Sequence, residues 1–260
     1  LQLLPIAFAA NAHKQDIAFD GFEDYLYYLT VKMEEYEPHF RFISDSQDFT
    51  MFTDVHRHSG LYSTVIPAGK SVTATNAIKP FQEAKTTHID LLNNTGQVQD
   101  CDCIKGFSPT PGEYVISAWV KQTNNDAGSI QVVIHDNHPT TPVQLSTHSF
   151  TTTAVALDGW QRIEGILTIP ANAGKIAISL KNNRTGNVYF DDFRIHPFLA
   201  GMETAVYDPK TLLKMASHDG YNFTTFYNYD ENNQLVRVRV ETSEGIKTVS
   251  ESEMSIYKQP

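Results

Sequence analysis

The sequence consists of many short stretches rich in Val, Ile, Thr, Tyr and Phe, separated from Ile17 onward by Gly, Pro, Asn and Asp. β-Branched and aromatic residues favour strands, and the separating residues favour turns. The strands predicted on this basis include Leu61–Ile66, Tyr114–Gln122, Ile130–His135, Gln161–Thr168, Ile176–Lys181 and Val188–Ile195. Two segments, Val31–Tyr36 and Thr211–Ser217, are compatible with short helices. The pattern predicts an all-β chain built as a sandwich.

Charge and opening sequence limit the partners of this chain. Its 260 residues have a formal net charge of −10 and no block of Lys and Arg, so we expect neither nucleic acid nor an anionic membrane as a partner. The apolar run from Leu1 to Ala10 is too short for a membrane span and lacks the basic start of a signal peptide. We therefore interpret the chain as an excised segment. Cys101 and Cys103 are expected to be free thiols; the alternatives are a strained or intermolecular bridge and a metal site.

The composition changes after His196-Pro197, where a short repeat begins. Tyr207-Asp208 and Tyr229-Asp230 each stand before a turn-like segment. This spacing predicts two hairpins, Glu203–Met215 and Phe223–Thr242. In the second hairpin, valines at 236, 238 and 240 alternate with Arg237, Arg239 and Glu241. Period-two alternation predicts a buried valine face and a solvated charged face.

An apolar stripe at the end of a chain is normally covered. We therefore expect the repeat segment either to dock on the preceding domain or to pair with a second chain. Docking would bury Phe198, Leu199 and Met202 at the junction.

Two resemblances follow from these motifs. Phe22-Glu23, His58–Ser63, Gly112–Lys121, Gly159–Gly165 and Val188–Ile195 occur in this order. Together they resemble the β-jelly-roll carbohydrate-binding modules of the galactose-binding-like group. Residues 202–250 resemble the YD repeats of Rhs-family proteins. The predicted organisation is a lead-in at 1–17, a jelly roll at 18–198 and YD-repeat hairpins at 199–260.

The first resemblance implies a structural calcium ion where the first and last strands of the jelly roll meet. Its ligands would be the carboxylates of Glu23 and Asp191, together with backbone carbonyls around Ser59 and Gly60. Calcium binds about 6–8 oxygen atoms, so it would satisfy an inward-facing carboxylate that is otherwise costly to bury.

Strand alternation distinguishes the two neighbouring aspartates. Phe193 and Ile195 are expected in the core, so Asp191 should point inward and Asp192 outward. Without a metal, Asp191 would instead cap a turn or meet an arginine such as Arg194 or Arg162.

The aromatic residues have two interpretations each. Trp119 and Trp160 are expected to pack in a core or edge rather than stack on a sugar. Alternation must turn outward at least one ring of the cluster Tyr25, Tyr27 and Tyr28. That ring would bind a sugar or be covered at an interface.

We assign no catalytic residue. The acidic residues Glu34, Glu35, Glu37, Asp45 and Asp48 lie in charge-rich segments without a recognisable two-carboxylate arrangement. His56 and His58 have a spacing that could chelate a metal, although we favour a solvated turn beside Ser59-Gly60.

The sequence therefore predicts a non-catalytic glycan-binding or adhesive module of a larger Rhs-like protein. Such a protein would be secreted or located at the bacterial cell surface, and the module would contact the rest of its own polypeptide. The alternative is a structural packing domain of a YD-repeat toxin shell with no ligand of its own. A glycan-active enzyme is the third reading.

Overall fold

The computed structural model describes residues 4–23, 38–44, 51–78, 106–123, 127–138, 140–152 and 155–252. Within these ranges the regular structure is β, apart from a 3-10 turn at Lys14–Asp16. The chain is an all-β protein with a jelly-roll-type sandwich, as the sequence predicted. No helix among the described residues has the length and hydrophobicity that crossing a membrane requires. The predicted helix at Val31–Tyr36 lies outside the described residues.

Two antiparallel sheets form the sandwich. The five-stranded sheet has the order β3 (Ile43–Ser44), β6 (Ser71–Ala77), β11 (Ala173–Asn182), β8 (Gly128–Asp136), β9 (Gln144–Phe150). The other, here called the central sheet, has the order β10 (Gln161–Ile169), β7 (Gly112–Lys121), β12 (Val188–Pro197), β5 (Ser63–Ile66), β4 (Phe52–Thr53). A short strand, β2 (Ala18–Asp20), also pairs with β12.

The main hydrophobic core lies between these two sheets. On β7, Ile116, Ala118 and Val120 are buried in this core. Ser117 and Trp119, which alternate with them, are also buried, but they contact a third sheet on the opposite face. The central sheet is therefore the middle layer of three.

The third sheet has the order β1 (Ala7–Ala10), β13 (Gly201–Tyr207), β14 (Lys214–His218), β15 (Thr224–Tyr229), β16 (Leu235–Thr242), β17 (Gly245–Glu251). Its β13–β14 and β15–β16 pairs confirm the two predicted hairpins. The predicted lead-in supplies β1, which pairs with β13 as an edge strand.

The prediction of a short helix at Thr211–Ser217 is wrong. This segment is a turn followed by β14, which is hydrogen-bonded on both sides by β13 and β15. Ala216 and His218 alternate toward the buried side of the sheet, at 0% and 1% exposure. Pairing on both edges, together with burial of one face, outweighs a weak local preference for helix.

The third sheet docks on the central sheet, but the residues buried at the junction differ from the prediction. Met202 is fully buried, whereas Phe198 and Leu199 are 45% and 82% exposed. Both lie in the turn between β12 and β13, which projects away from the interface. The predicted burial of these two residues is therefore wrong.

The face assignment of β16 is also wrong. Glu241 is 3% exposed and faces the central sheet, while Val236, Val238 and Val240 are only half-buried. Alternation shows that the two faces of the strand differ, but the hydrogen-bonding partner on the covering layer decides which face is buried. Here a buried histidine, His58, contacts Glu241.

Candidate functional site

A β-bulge in β12 brings two acidic side chains to the layer boundary. The register of β12 against β7 shifts between Asp191 and Arg194, and Asp192 has a φ of 48°. Before the bulge Phe190 is in the core, and after it Phe193 is. The expected alternation therefore breaks at the two aspartates, and both are fully buried. Asp192 does not point to solvent, because the third sheet covers it.

Asp191 is held by the backbone of the loop before β5. One carboxylate oxygen accepts the N–H groups of His58 and Ser59, at 2.8 and 3.2 Å. The other accepts the N–H of Asp192 at 2.8 Å. Burial, and then the negative charges of Asp192 and Glu23, raise the pKa of Asp191 well above its usual value. This residue thus caps the loop before β5, and neither Arg194 nor Arg162 is among its hydrogen-bond partners in the described structure.

Asp192 is the centre of a buried polar cluster. Its Oδ2 lies 2.7 Å from His58 Nδ1 and 3.1 Å from His218 Nε2, and its Oδ1 accepts the Ser59 hydroxyl at 2.7 Å. Burial alone would raise the pKa of Asp192, but the charges of the two histidines and the hydrogen bond from His58 lower it. The carboxylate is therefore ionised at neutral pH.

His58 connects this carboxylate to the third sheet. Its Nε2 lies 3.1 Å from Glu241 Oε1, and its ring stacks on Trp119 with centroids 4.2 Å apart. Burial lowers the pKa of His58, but hydrogen bonds and charges from Asp192 and Glu241 raise it to about 9. The solvated turn expected at His58 is thus wrong, because two acids from different layers enclose the ring.

Arg194 and Trp119 fix the turn between β14 and β15 against the central sheet. The Arg194 guanidinium donates to the carbonyl oxygens of Met202, Asp219 and Gly220, at 3.2, 2.7 and 2.8 Å. Burial lowers its pKa to about 10, so it is still charged at neutral pH. Trp119 Nε1 donates to the Asn222 carbonyl at 3.0 Å. Trp119 is therefore buried, as expected, but at the layer boundary rather than in the sandwich core.

The four residues predicted to bind calcium come together in space. Glu23 Oε1 accepts the N–H groups of Leu61 and Tyr62, at 2.8 and 3.0 Å, in the loop whose earlier residues hold Asp191. Gly60 has a φ of +62°, and a Cβ there would come within 2.1 Å of Glu23 Oε1. Only glycine fits between this loop and the carboxylate.

The two carboxylates offer oxygen atoms, which calcium prefers. The loop atoms that contact them are N–H groups of residues 58, 59, 61 and 62. The charge of Glu23 raises the pKa of Asp191, so the two carboxylates repel each other. A cation between them would remove that repulsion.

A cleft of about 370 Å³ opens beside this cluster, between the central and third sheets. His58 and Glu241 line its inner end. The apolar and aromatic lining includes Leu61, Leu157, Trp160, Met215, Phe226 and Ile246, and the polar lining includes Arg57, Asp158, Asn228 and Arg239. Trp160, expected to be packed, is 4% exposed.

Several predicted positions lie outside the described residues. They are Tyr25, Tyr27, Tyr28, Glu34, Glu35, Glu37, Asp45, Asp48, Cys101 and Cys103. His56 is half-buried, with its ring 4.6 Å from that of Tyr189.

Sequence reasoning missed His218, Thr204 and Glu241 as site residues. Each lies on a strand with a period-two pattern, and each occupies a position on the buried face. On β13, Thr204 alternates in phase with the apolar residues Met202 and Val206. On β14, His218 alternates in phase with Ala216. The sequence does not show which face of these strands docks on the central sheet, so the pattern alone identifies none of the three residues.

No protein-family model and no curated protein matches this sequence. Similar solved structures include the CBM22-1–GH10 modules of a Clostridium thermocellum endo-1,4-β-D-xylanase complexed with xylohexaose. That alignment has 16% identity, covers 59% of this chain and 25% of that chain, and has a TM-score of 0.38.

Two further similar structures are smaller modules. TmCBM61, in complex with β-1,4-galactotriose, has 12% identity and a TM-score of 0.31, with 61% of this chain and 88% of that chain covered. The CBM22-1 xylan-binding domain from Paenibacillus barcinonensis has 10% identity and a TM-score of 0.33, with 60% and 84% covered. Values this low assign no ligand to the present chain.

Proposed function

We propose that this chain is a non-catalytic glycan-binding module, and that the cleft between the central and third sheets is its binding site. The observation that supports this is the lining of the cleft. Its volume of about 370 Å³ falls within the usual range for small-ligand sites, which combine apolar walls with a few convergent polar groups. A sugar ring presents the matching surface, because its C–H faces are apolar and its hydroxyls lie at the rim.

Arg239 is the polar residue that we place at the centre of recognition. Its guanidinium lies over the Phe226 ring, 5.3 Å from the centroid, which fixes its plane. Its Nε is buried and has no hydrogen-bond partner in the described structure. A buried donor without a partner is costly, and a ligand hydroxyl would satisfy it.

The acids beside the cleft support binding rather than hydrolysis. Glu241 is bonded to His58 and accepts the Thr224 N–H at 3.1 Å. Asp192 is enclosed by His58, His218 and Ser59. A glycosidase requires two carboxylates on either side of the scissile bond. We therefore assign both acids to the contact between layers.

The test is a glycan array followed by calorimetry with the oligosaccharide that binds best. Arg239→Ala should weaken binding by about 10–100-fold, because a charge-assisted hydrogen bond contributes about 1.5–3 kcal/mol. The control is Lys181→Ala. Lys181 lies on the open face of the five-stranded sheet, where its Nζ donates to Gln131 at 3.3 Å.

If Lys181→Ala abolishes binding and Arg239→Ala does not, the glycan site is on the five-stranded sheet and the cleft assignment is wrong. If the array detects no glycan, the second candidate is favoured. Circular dichroism of both variants shows whether the fold is intact.

The second candidate is a packing domain within a larger Rhs-like polypeptide. Its support is that the third sheet packs on part of the outer face of the central sheet and that an aspartate caps the turn of each hairpin. Asp208 Oδ1 accepts the N–H groups of Lys210 and Thr211, at 2.7 and 2.9 Å. Asp230 Oδ1 likewise accepts those of Asn232 and Gln234, at 2.9 and 2.8 Å.

These turns give the Tyr-Asp pairs a common role, since each tyrosine ends a strand and each aspartate caps the next turn. Membership of a YD-repeat array, and an extracellular location, remain proposals on this basis. The sequence of the full gene product would test both.

A structural calcium ion is also part of the proposal. Glu23, Asp191 and carbonyl oxygens of the Ser59–Gly60 loop would hold it. It would supply positive charge that offsets the repulsion between the two carboxylates.

A further inference from the structure

We propose that His58, Asp192 and His218 form a nitrogen-containing transition-metal site, of the kind that takes zinc, joining the central sheet to the third sheet. This inference goes beyond glycan binding and concerns a site separate from the all-oxygen calcium position. The three ligand atoms, His58 Nδ1, Asp192 Oδ2 and His218 Nε2, lie within 4.8 Å of one another. Two imidazoles and a carboxylate are a ligand set that zinc binds in proteins.

The three ligands come from three separate elements. His58 lies in the loop before β5, Asp192 at the bulge of β12, and His218 at the end of β14. All three are buried, at 9%, 0% and 1% exposure. A metal here would therefore fasten the third sheet to the jelly roll in a site largely screened from water.

The outward nitrogen of each histidine is already oriented by a partner. His58 Nε2 lies 3.1 Å from Glu241 Oε1, and His218 Nδ1 lies 2.8 Å from Thr204 Oγ1. Metal-binding histidines almost always donate their second N–H to a carboxylate or another oxygen, which fixes the tautomer and the ring plane. Both rings thus present the remaining nitrogen to the same carboxylate oxygen.

His218 Nε2 provides an independent observation. It is buried and makes no hydrogen bond with any described residue. It lies 3.1 Å from Asp192 Oδ2, yet the two are not aligned as donor and acceptor. A metal ion bound to both groups would explain why this buried nitrogen faces the carboxylate of Asp192 without a hydrogen bond to it.

The spacing requires a small adjustment. Two ligand atoms on a tetrahedral zinc ion lie about 3.3 Å apart, since each is about 2.0–2.1 Å from the metal. The His58–Asp192 contact, now 2.7 Å, would have to open by about 0.6 Å. Of the three ligands, His58 is the one that lines the cleft, and a water molecule would supply the fourth ligand.

Charge favours the same conclusion. Asp192, Asp191 and Glu241 place three acidic groups at this boundary, all of them buried. Zinc would take the position of the proton on His58 Nδ1, while the Nε2 proton would still be donated to Glu241. The buried acids would then face a divalent cation instead of a single positive charge.

The experiment uses the full chain, stripped with chelator and reconstituted with zinc or cobalt. We expect one equivalent of zinc by elemental analysis. With cobalt, we expect visible absorption bands of the intensity typical of tetrahedral coordination. His218→Asn should remove the bound metal, and Thr204→Val, which keeps all three ligands, should weaken zinc binding by about 10–100-fold. The control is His138→Asn, because His138 is exposed and remote in sequence from the cluster.

The proposal is overturned if the reconstituted protein retains under about a tenth of an equivalent of zinc and shows no cobalt bands, with an intact fold by circular dichroism. In that case protonated His58 alone satisfies the cluster. Equal zinc retention by His218→Asn and His138→Asn would also overturn it. Because no glycan is present, neither result bears on the glycan proposal.

Discussion

The central sheet has two buried faces of opposite chemistry. The face toward the five-stranded sheet is apolar, and on it Phe193 packs against Phe40 and Phe42 with centroids 5.3 and 5.0 Å apart. The face toward the third sheet carries Arg194 and Asp192, together with Trp119 and a small apolar cluster around Met202. The apolar face gains free energy from burial whatever the detailed fit. Burying the charged groups of the polar face is favourable only where they meet opposite charges or hydrogen-bond partners, so this face specifies one docked position.

The largest effect is expected on the apolar face. Phe193→Ala should lower the free energy of unfolding by about 3–5 kcal/mol, because it removes a fully buried ring and leaves a cavity. Denaturant unfolding measures this. Phe198→Ala is the control, since Phe198 is 45% exposed, and a similar loss in both variants would contradict the contrast between core and surface.

A somewhat smaller effect is expected on the polar face. Arg194→Met keeps much of the volume but leaves the carbonyls of Met202, Asp219 and Gly220 without their donor, which should cost about 2–4 kcal/mol. Limited proteolysis should then cut the third sheet while the jelly roll resists. Loss of the whole fold in a single transition would show that the two layers unfold together.

Arg162→Met sharpens this experiment as a matched control. Arg162 donates to the Tyr221 carbonyl of the same turn, but its side chain keeps 21% exposure. We expect a loss below about 1 kcal/mol, because water replaces an exposed donor. Equal losses at Arg162 and Arg194 would mean that burial is not what makes the junction sensitive.

The effect of calcium depends on the excess of free ion. Added to chelator-treated protein at a hundredfold excess over Kd, calcium should raise the free energy of unfolding by about 2.7 kcal/mol, and less at lower excess. Thermal unfolding measures the shift, and Asp191→Asn should abolish it, whereas the exposed Asp54→Asn should not. An equal shift in both variants would place the ion elsewhere.

The contrast between the two faces also explains what the sequence could predict. Strands such as Tyr114–Gln122 and the hairpins of the third sheet follow from local patterns of hydrophobicity and turn residues. Asp191 and Glu23 lie at one loop, as expected, and the calcium ion between them is a proposal. Each of those predictions needed only the repeating pattern of apolar and polar residues within one strand or hairpin.

The failures have a common physical cause. Glu241 was placed in solvent, Asp192 outward and His58 on a solvated turn, yet all three meet at the boundary between layers. A polar residue on a strand indicates a solvent-exposed face only if no other layer of the protein covers that face. The identity of the covering layer depends on contacts distant in sequence, and a local period does not contain them. The bulge at Asp192 adds a second failure, because one extra residue reverses the phase of the strand.

The strand β1 has a consequence for synthesis of the chain. Ala7 pairs with Thr204, and every strand of the jelly roll lies between them in sequence. A ribosome releases β1 first and β13 only after the sandwich has emerged. During that interval β1 has no partner strand from its own sheet. The pairing of β1 with β13 closes a chain loop that contains the whole jelly roll, and closing a loop of that length costs conformational entropy.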